Sequence, residues 1–336
     1  MSSWLIQKAH RYYKHYSEYR LLKYISMKKI LLSIVIFISL SNLVVKAQDE
    51  AVFSHYTVNP LLINPAATGF SEKHQLFMNL RNTWTGFPGA PSTYALSYNG
   101  PVSDRLGIGA QILSENIAAF SRLRAQLSYA FRYNIADFKM GIGISTEFHR
   151  LRVDKELYDN PFTDQGDTDL NTLVDGVTFF DASLGFWGRY LDNFTVGLAL
   201  PNLVRTKIGE IGDDAPSTAL KHYIFYSAYR YQGDEFAIEP SLQVRKVMNT
   251  PFQVDLNLRA FFIEGKLIGG LTYRPGIEGG MMFMAGTKSG AFQAYYSYDI
   301  SFSTFQRYNG GSHEITIGFE FDRNPKQFDR DQKYRN

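Results

Sequence analysis

The sequence predicts an all-β protein: an outer-membrane antiparallel β-barrel of fourteen strands, with an irregular N-terminal segment and a short polar C-terminal tail. Three observations carry this reading. Apolar and polar residues alternate strictly over long segments, the polar faces hold charges of both signs, and aromatic residues recur near strand ends. Composition agrees with it. Of 336 residues, 45% are hydrophobic and 20% charged, with 22 Tyr, 26 Phe and 27 Gly against 12 Pro, a mixture suited to pleated strands. The absence of cysteine excludes a disulfide framework, a thiol nucleophile, a cysteine zinc site and a lipid-modified N-terminal cysteine. The formal charge of +3 arises in the first 47 residues, where eight bases face one acid, Glu18. The rest of the chain is net negative, so no nucleic-acid partner is expected.

The N-terminal region reads as a leader. Met27-Lys28-Lys29 precedes an apolar run from Ile30 to Val45, then Lys46-Ala47 before Gln48. A charged start, an apolar centre and a small residue before a polar one make a signal peptide over 27–47. A membrane anchor is the alternative, but roughly 16 apolar residues fall short of the ~20 needed to span a bilayer. Residues 1–26, polar, basic and Tyr-rich, read as an extension upstream of the true start at Met27.

From residue 75 to 322 the period is two. In 236–245, Phe236, Ile238, Pro240, Leu242 and Val244 alternate with Ala237, Glu239, Ser241, Gln243 and Arg245. The same holds for 253–262, 292–301 and 314–321. Strands are expected at 75–83, 92–100, 105–114, 121–134, 137–150, 178–191, 193–200, 219–232, 235–247, 251–263, 266–275, 278–288, 291–302 and 312–322. A soluble β-sandwich would use the same alternation. Strands of about 9–13 residues, an even strand number and the leader favour the barrel. Its interior should receive the charges Arg122, Arg124, Arg132, Glu239, Arg245, Asp255, Arg259, Asp299 and Glu320, while Leu256 and Phe319 should face lipid. Tight connections (101–104, 135–136, 192, 233–234, 264–265, 289–290) alternate with a series that includes long ones at 151–177, 201–218 and 303–311. Short turns belong on the periplasmic side, so the chain should enter and leave the barrel there.

No catalytic or metal motif emerges. The acidic 151–177 loop contains Asp167, Asp169 and Asn171 at calcium-loop spacing, yet Thr172 stands where glycine is required and Thr178 where the terminal glutamate belongs. It reads as a solvated surface loop. The histidines at 55, 74, 149, 222 and 313 lack ligand spacing, and there is neither a GxSxG nor a Walker motif. Gly107-Ile108-Gly109 and Gly141-Ile142-Gly143 lack a following phosphate-binding helix and read as lumen-side glycines in strands. No cofactor, no metal and no enzymatic activity are expected. Residues 48–74, with Asn59-Pro60 and Asn64-Pro65, read as irregular, a plug or a periplasmic contact at the mouth. Residues 323–336 read as a periplasmic tail.

The segment with the two Asn-Pro pairs, and the stretch that follows it, also carry a resemblance. Phe53-Ser54-His55-Tyr56, Asn59-Pro60, Asn64-Pro65-Ala66 and Gly69, followed by Arg81, Trp84, Phe87, Gly89-Ala90-Pro91 and Thr93, resemble the opening of the PorP/SprF family of type IX secretion membrane proteins. One departure is Ala67-Thr68, where an aromatic is expected after Asn-Pro-Ala. The resemblance implies a non-enzymatic outer-membrane barrel of the type IX secretion and gliding apparatus of Bacteroidetes-type bacteria. It further implies a part in export or surface attachment of cargo proteins that carry a C-terminal sorting domain. The partners it implies are outer-membrane lipid, that cargo, and periplasmic or peptidoglycan-associated components of the machinery. A porin-like channel for small solutes is the alternative that the charged interior alone would permit. The leader generates a direct test: N-terminal sequencing of outer-membrane material should begin at Gln48, and recovery of residues 1–26 would refute both the cleavage and the start site.

Overall fold

Alternating side chains can bury their polar face only if the sheet curls round on itself, and in the computed structural model it does so. The structure describes residues 53–158, 168–204, 206–208, 222–247, 252–276 and 279–322, all within the compact unit Lys46–Asn336. The extension 1–26, the leader with its Ala47–Gln48 junction, residues 48–52, the tail 323–336 and parts of the 151–177 and 201–218 loops lie outside the described residues.

Among the described residues, fourteen antiparallel strands form one closed barrel. They are β1 (Lys73–Asn82), β2 (Ser92–Pro101), β3 (Leu106–Ile117), β4 (Phe120–Ile135), β5 (Phe138–Val153), β6 (Val177–Tyr190) and β7 (Phe194–Leu200). β8 runs as Tyr223–Tyr229 and Tyr231–Gln232, interrupted at Arg230. Then follow β9 (Phe236–Lys246), β10 (Gln253–Phe262), β11 (Leu267–Arg274), β12 (Gly280–Ser289), β13 (Phe292–Ser301) and β14 (Ser312–Asp322). Each strand pairs with its sequence neighbours, and β14 closes on β1 from Lys73↔Asp322 to Asn82↔His313. Closure removes every free sheet edge, which a backbone in hydrocarbon requires. A two-residue strand, Thr206–Lys207, pairs beside the start of β6.

The expected strands match these within a few residues. The main difference is at the 151–177 loop. β4 and β5 run to 16 residues each, and the connection beyond them contains two short helices, α1 (Lys155–Tyr158) and α2 (Thr168–Asp175). Thr168 to Asp175, within the span that resembles a calcium loop, is therefore helical. Among the described residues no helix is long and apolar enough to cross a membrane; the strands do the crossing.

The alternation resolves into two faces. Ala237, Glu239, Ser241 and Gln243 of β9 are buried, while Phe236 and Pro240 are exposed. Leu256 and Leu258 of β10 are exposed, with Asp255 and Asn257 buried between and beside them. Phe319 also faces outward but pairs with Phe292, the first residue of β13, so it belongs to the aromatic girdle at the short-turn rim rather than to the middle of the band. Tyr133, Tyr190, Tyr229, Tyr231, Phe262 and Phe321 join it there. Leu258, opposite Pro240 and Leu271, occupies the centre of the apolar band. Arginine at Leu258 should therefore cost about 2–4 kcal/mol of barrel stability, read as a lowered denaturant midpoint in lipid vesicles. An unchanged midpoint would mean that this face does not meet hydrocarbon.

Candidate functional site

The interior is occupied by residues preceding β1. Asn59-Pro60 and Asn64-Pro65 each place proline at the first position of a 3-10 turn, Pro60–Leu62 and Pro65–Ala67, where its missing N–H is harmless. The Asn64 side chain caps its turn by accepting from the Ala66 N–H at 2.9 Å and donates onward to the Phe186 and Leu198 carbonyls at 2.9 and 3.1 Å. Asn59 donates to Ser97 Oγ at 2.9 Å. The segment thus binds β2 on one side and β6 and β7 on another. Only a chain inside the ring can reach both.

Its course follows from its partners' positions. Ser54 touches Arg81, Asp299, Glu314 and Arg274, all close to strand ends on the long-loop side. Gly69 donates to Asn99 Oδ1 at 3.1 Å and its carbonyl accepts from Arg132 at 2.6 Å, both near the short turns. Residues 53–69 therefore run the full depth of the barrel, from the long-loop level down to the short-turn level, where β1 begins. The expectation that the chain enters from the short-turn side is corrected for these residues: β1 starts and β14 ends there, but the segment before β1 descends from the opposite mouth.

Two different surfaces hold it. At the long-loop level the contacts are ionic. Arg81 donates to Asp299 at 2.6 Å and to Glu314 at 3.1 Å. Arg274 donates to Asp255 at 3.1 Å, to Asp299 at 3.2 Å and to Ser54 Oγ at 2.9 Å. Glu314 accepts the backbone N–H groups of Ser54 at 2.7 Å and His55 at 3.1 Å. His55 meets Thr316 at 2.7 Å, and the Tyr56 hydroxyl donates to Asp255 at 3.2 Å and accepts from Asn257 at 2.9 Å. Lower down the wall is glycine. A Cβ on Gly143 would lie 2.5 Å from Ala66 backbone atoms, one on Gly141 2.9 Å from the Ala66 carbonyl, and those on Gly107 and Gly185 would collide with Thr68 and Asn64. Apolar side chains fill the remainder. Tyr56, Ala66, Ala67 and Phe70 pack with Trp187, Tyr226 and Ala228, where the Trp187 and Tyr226 rings stack at 5.3 Å. Phe53 packs with Ala95 and Leu113. Below, Glu72 pairs with Lys139 at 2.5 Å, and this hydrogen bond lowers the Glu72 carboxyl pKa. A cavity of about 60 Å³ remains beside Leu61–Pro65, with Arg124, Glu147, Gln243 and Arg245 in its lining.

The nine charges expected inside occupy several places. Arg132, Asp255 and Asp299 bind the interior segment directly, and Arg259 does so through the Thr57 carbonyl at 2.8 Å while pairing with Glu239. Arg122 pairs with Glu115 at 3.1 Å, Arg124 donates to Gln111 at 2.9 Å, Glu320 pairs with Lys288, and Arg245 lines the cavity. Sequence reading passed over Arg274, Glu314 and Glu147, each of which has a partner distant in sequence: Asp299 for Arg274, Ser54 for Glu314 and Ser183 for Glu147. Of the motif residues, Asn59, Pro60, Asn64, Pro65, Ala66, Gly69 and Arg81 belong to the interior segment or its contacts, whereas Trp84 and Pro91 lie in the β1–β2 loop. There Thr83 N–H bonds the Pro91 carbonyl at 2.9 Å. Thr85 N–H donates to the Gly311 carbonyl at 2.9 Å and Gly310 N–H to the Thr85 carbonyl at 2.7 Å, stapling this loop to the β13–β14 loop. Phe305 packs edge-on against both Trp84 at 5.3 Å and Phe87 at 5.0 Å.

The family described as type IX secretion system membrane protein PorP/SprF matches residues 45–319. No curated protein matches the chain. Solved structures with similar folds include the CymD monoaromatic hydrocarbon channel, at 12% identity over 83% of this chain and 95% of that one, TM-score 0.49. The Acinetobacter baumannii outer membrane protein Omp33 has 9% identity over 75% and 98%, TM-score 0.43. A Pseudomonas aeruginosa FadL homologue has 13% identity over 77% and 92%, TM-score 0.42.

The glycine wall is directly testable. Gly143→Val forces side-chain atoms into the Ala66 backbone and should destabilise the barrel by about 1–3 kcal/mol or more. Gly269→Ala, where an added Cβ meets nothing within 4 Å, should be near neutral. Heat-modifiable gel migration of the two variants reports the difference, and equal midpoints would dismiss the close contact.

Proposed function

The chain belongs to the PorP/SprF family of type IX secretion system membrane proteins, and from that premise we propose that it is a non-enzymatic, plugged outer-membrane barrel that docks secreted cargo on its long-loop face. It is an outer-membrane β-barrel and a membrane component of the type IX secretion system. The finer role, assisting export or surface attachment of cargo with a C-terminal sorting domain, is our reading, as are contacts with periplasmic or peptidoglycan-associated components on the short-turn side. In this orientation the long loops face outward and the short turns face the periplasm.

One observation carries the docking assignment: the stapled pair of loops that presents Trp84, Phe87 and Phe305. Trp84 holds a left-handed backbone (φ 54°), costly for a bulky side chain and sustained only where surrounding structure enforces it. It nevertheless stays more than a third exposed. A rigid, exposed aromatic cluster is the usual anchor of a protein interface, since little side-chain entropy is lost on docking. The interior supports docking over conduction, because residues 53–69 run through it from the long-loop level to the short-turn level. The acidic 151–177 loop remains a second docking candidate; residues 159–167 of it lie outside the described residues.

Trp84→Ala combined with Phe305→Ala should reduce surface-displayed cargo about 30-fold or more, as a hot-spot loss of more than 1 kcal/mol per aromatic predicts. Barrel folding, read from heat-modifiable migration, should persist. A folded double variant with unchanged surface cargo removes this face from consideration. A wild-type protein that conducts small ions in planar bilayers would instead favour the channel.

A further inference from the structure

The lipid-facing column of β5 has a pattern that neither the interior nor the loops require. Reading toward the long loops it runs Met140, Ile142, Ile144, Thr146, Phe148, Arg150, Arg152. Ile142, Ile144, Phe148 and both arginines are exposed on the outer face. At the short-turn end Met140 pairs with Tyr133 of the aromatic girdle. From Met140 to Arg150 the strand rises about 34 Å, or roughly 26 Å along the membrane normal at a tilt of ~40°. That is the ≈ 25 Å height of the apolar band of such barrels. Directly below Arg150, Phe148 and Phe180 make an edge-on aromatic pair at 5.5 Å, the opposite girdle. The two arginines therefore emerge where hydrocarbon ends and headgroups begin.

They are also unlike the arginines inside. Arg81, Arg259 and Arg274 each meet a carboxylate. Neither Arg150 nor Arg152 is in an ion pair among the described residues, and Arg150 makes one hydrogen bond, to the Asp175 carbonyl at 3.2 Å. Both side chains cross the same glycine: a Cβ on Gly176 would lie 2.9 Å from Arg150 Nε and 2.9 Å from Arg152 Cγ. The missing side chain lets two guanidinium stems lie together over one point. Two planar, permanently charged donor forks side by side match the oxygens of a phosphate group.

We propose that Arg150 and Arg152 form a binding site for the phosphorylated headgroup of an outer-leaflet glycolipid, with the acyl chains lying along Phe148, Ile144 and Ile142. The site goes beyond cargo docking and rests only on the orientation given above, with long loops outward. It also fixes the barrel's depth in the membrane at β4 and β5, the longest strands, which carry the α1–α2 connection.

The test uses the full chain in detergent with added lipid A, and native mass spectrometry to count retained lipid. Wild-type protein should retain phosphorylated lipid A in preference to the same lipid with its phosphates removed. Arg150→Gln with Arg152→Gln should lower the affinity for the phosphorylated form roughly 25-fold, from about fivefold for each base near an anionic surface. The Arg150→Lys and Arg152→Lys pair should recover part of the loss. Because both side chains are outside the packed interior, heat-modifiable migration should be unchanged. Equal retention of phosphorylated and phosphate-free lipid by wild type overturns the site even if the variants fail to fold. So does equal binding by wild type and the glutamine pair, or full displacement by millimolar inorganic phosphate. Orientation is read separately: the chain has no cysteine, so Tyr308→Cys in a long loop should react with an impermeant maleimide on intact cells. Labelling without lipid preference rejects the lipid site alone; lipid preference without labelling rejects the orientation.

Discussion

Everything inside this barrel answers to one constraint: a charge enclosed by a ring of strands in hydrocarbon has no bulk water, so it must find its counter-charge within the ring. Arg81, Arg274, Asp255, Asp299 and Glu314 come from five different strands and satisfy one another only together, with Ser54 bridging Arg81, Arg274 and Asp299. Glu314 is completed by two backbone N–H groups of the interior segment. Withdrawing that segment would leave Glu314 and Asp255 short of partners in a low-dielectric site, a penalty well above that of a surface ion pair. The segment is therefore a structural part of the barrel wall's electrostatics, and the wall is what orders the segment.

The lower half solves a different problem. Pro65-Ala66-Ala67 brings backbone, not side chain, against the wall, and backbone can approach only where the wall has no Cβ. Gly141 and Gly143 of β5 supply that surface against Ala66, Gly107 of β3 does the same against Thr68 and Gly69, and Gly185 of β6 leaves room for the Asn64 side chain. Asn64 then reaches past it to carbonyls of β6 and β7. Polar attraction above and close backbone contact below give the segment one register and one direction through the lumen.

With the interior committed to holding itself together, the outer surfaces are where partners can act. The lipid face carries two aromatic girdles and, on β5, a basic rim. The long-loop face carries the stapled aromatic cluster around Trp84. The short-turn face carries both the start of β1 and the end of β14, which Lys73 and Asp322 bring together at 3.6 Å.

The period of two, the parity of strands and the alternation of turn lengths made the barrel legible before any coordinates, because each is a local property that hydrocarbon on one side and a wet or filled lumen on the other impose residue by residue. The same periodicity placed Asp255, Arg259 and Asp299 on the inner face, and Asn-Pro punctuation marked 48–74 as irregular. Periodicity tells which face a side chain occupies but not which side chain it meets. The partners of Ser54 and Tyr56 lie some 200 or more residues away in sequence for Asp255, Asp299 and Glu314, so their pairing depends on how the ring closes. The packing of Gly107 and Gly143 against Thr68 and Ala66 was invisible for the same reason. So was the descent of the segment from the long-loop mouth, which only the tertiary structure decided, since a chain of 3-10 turns has no period and takes its direction from the wall it touches.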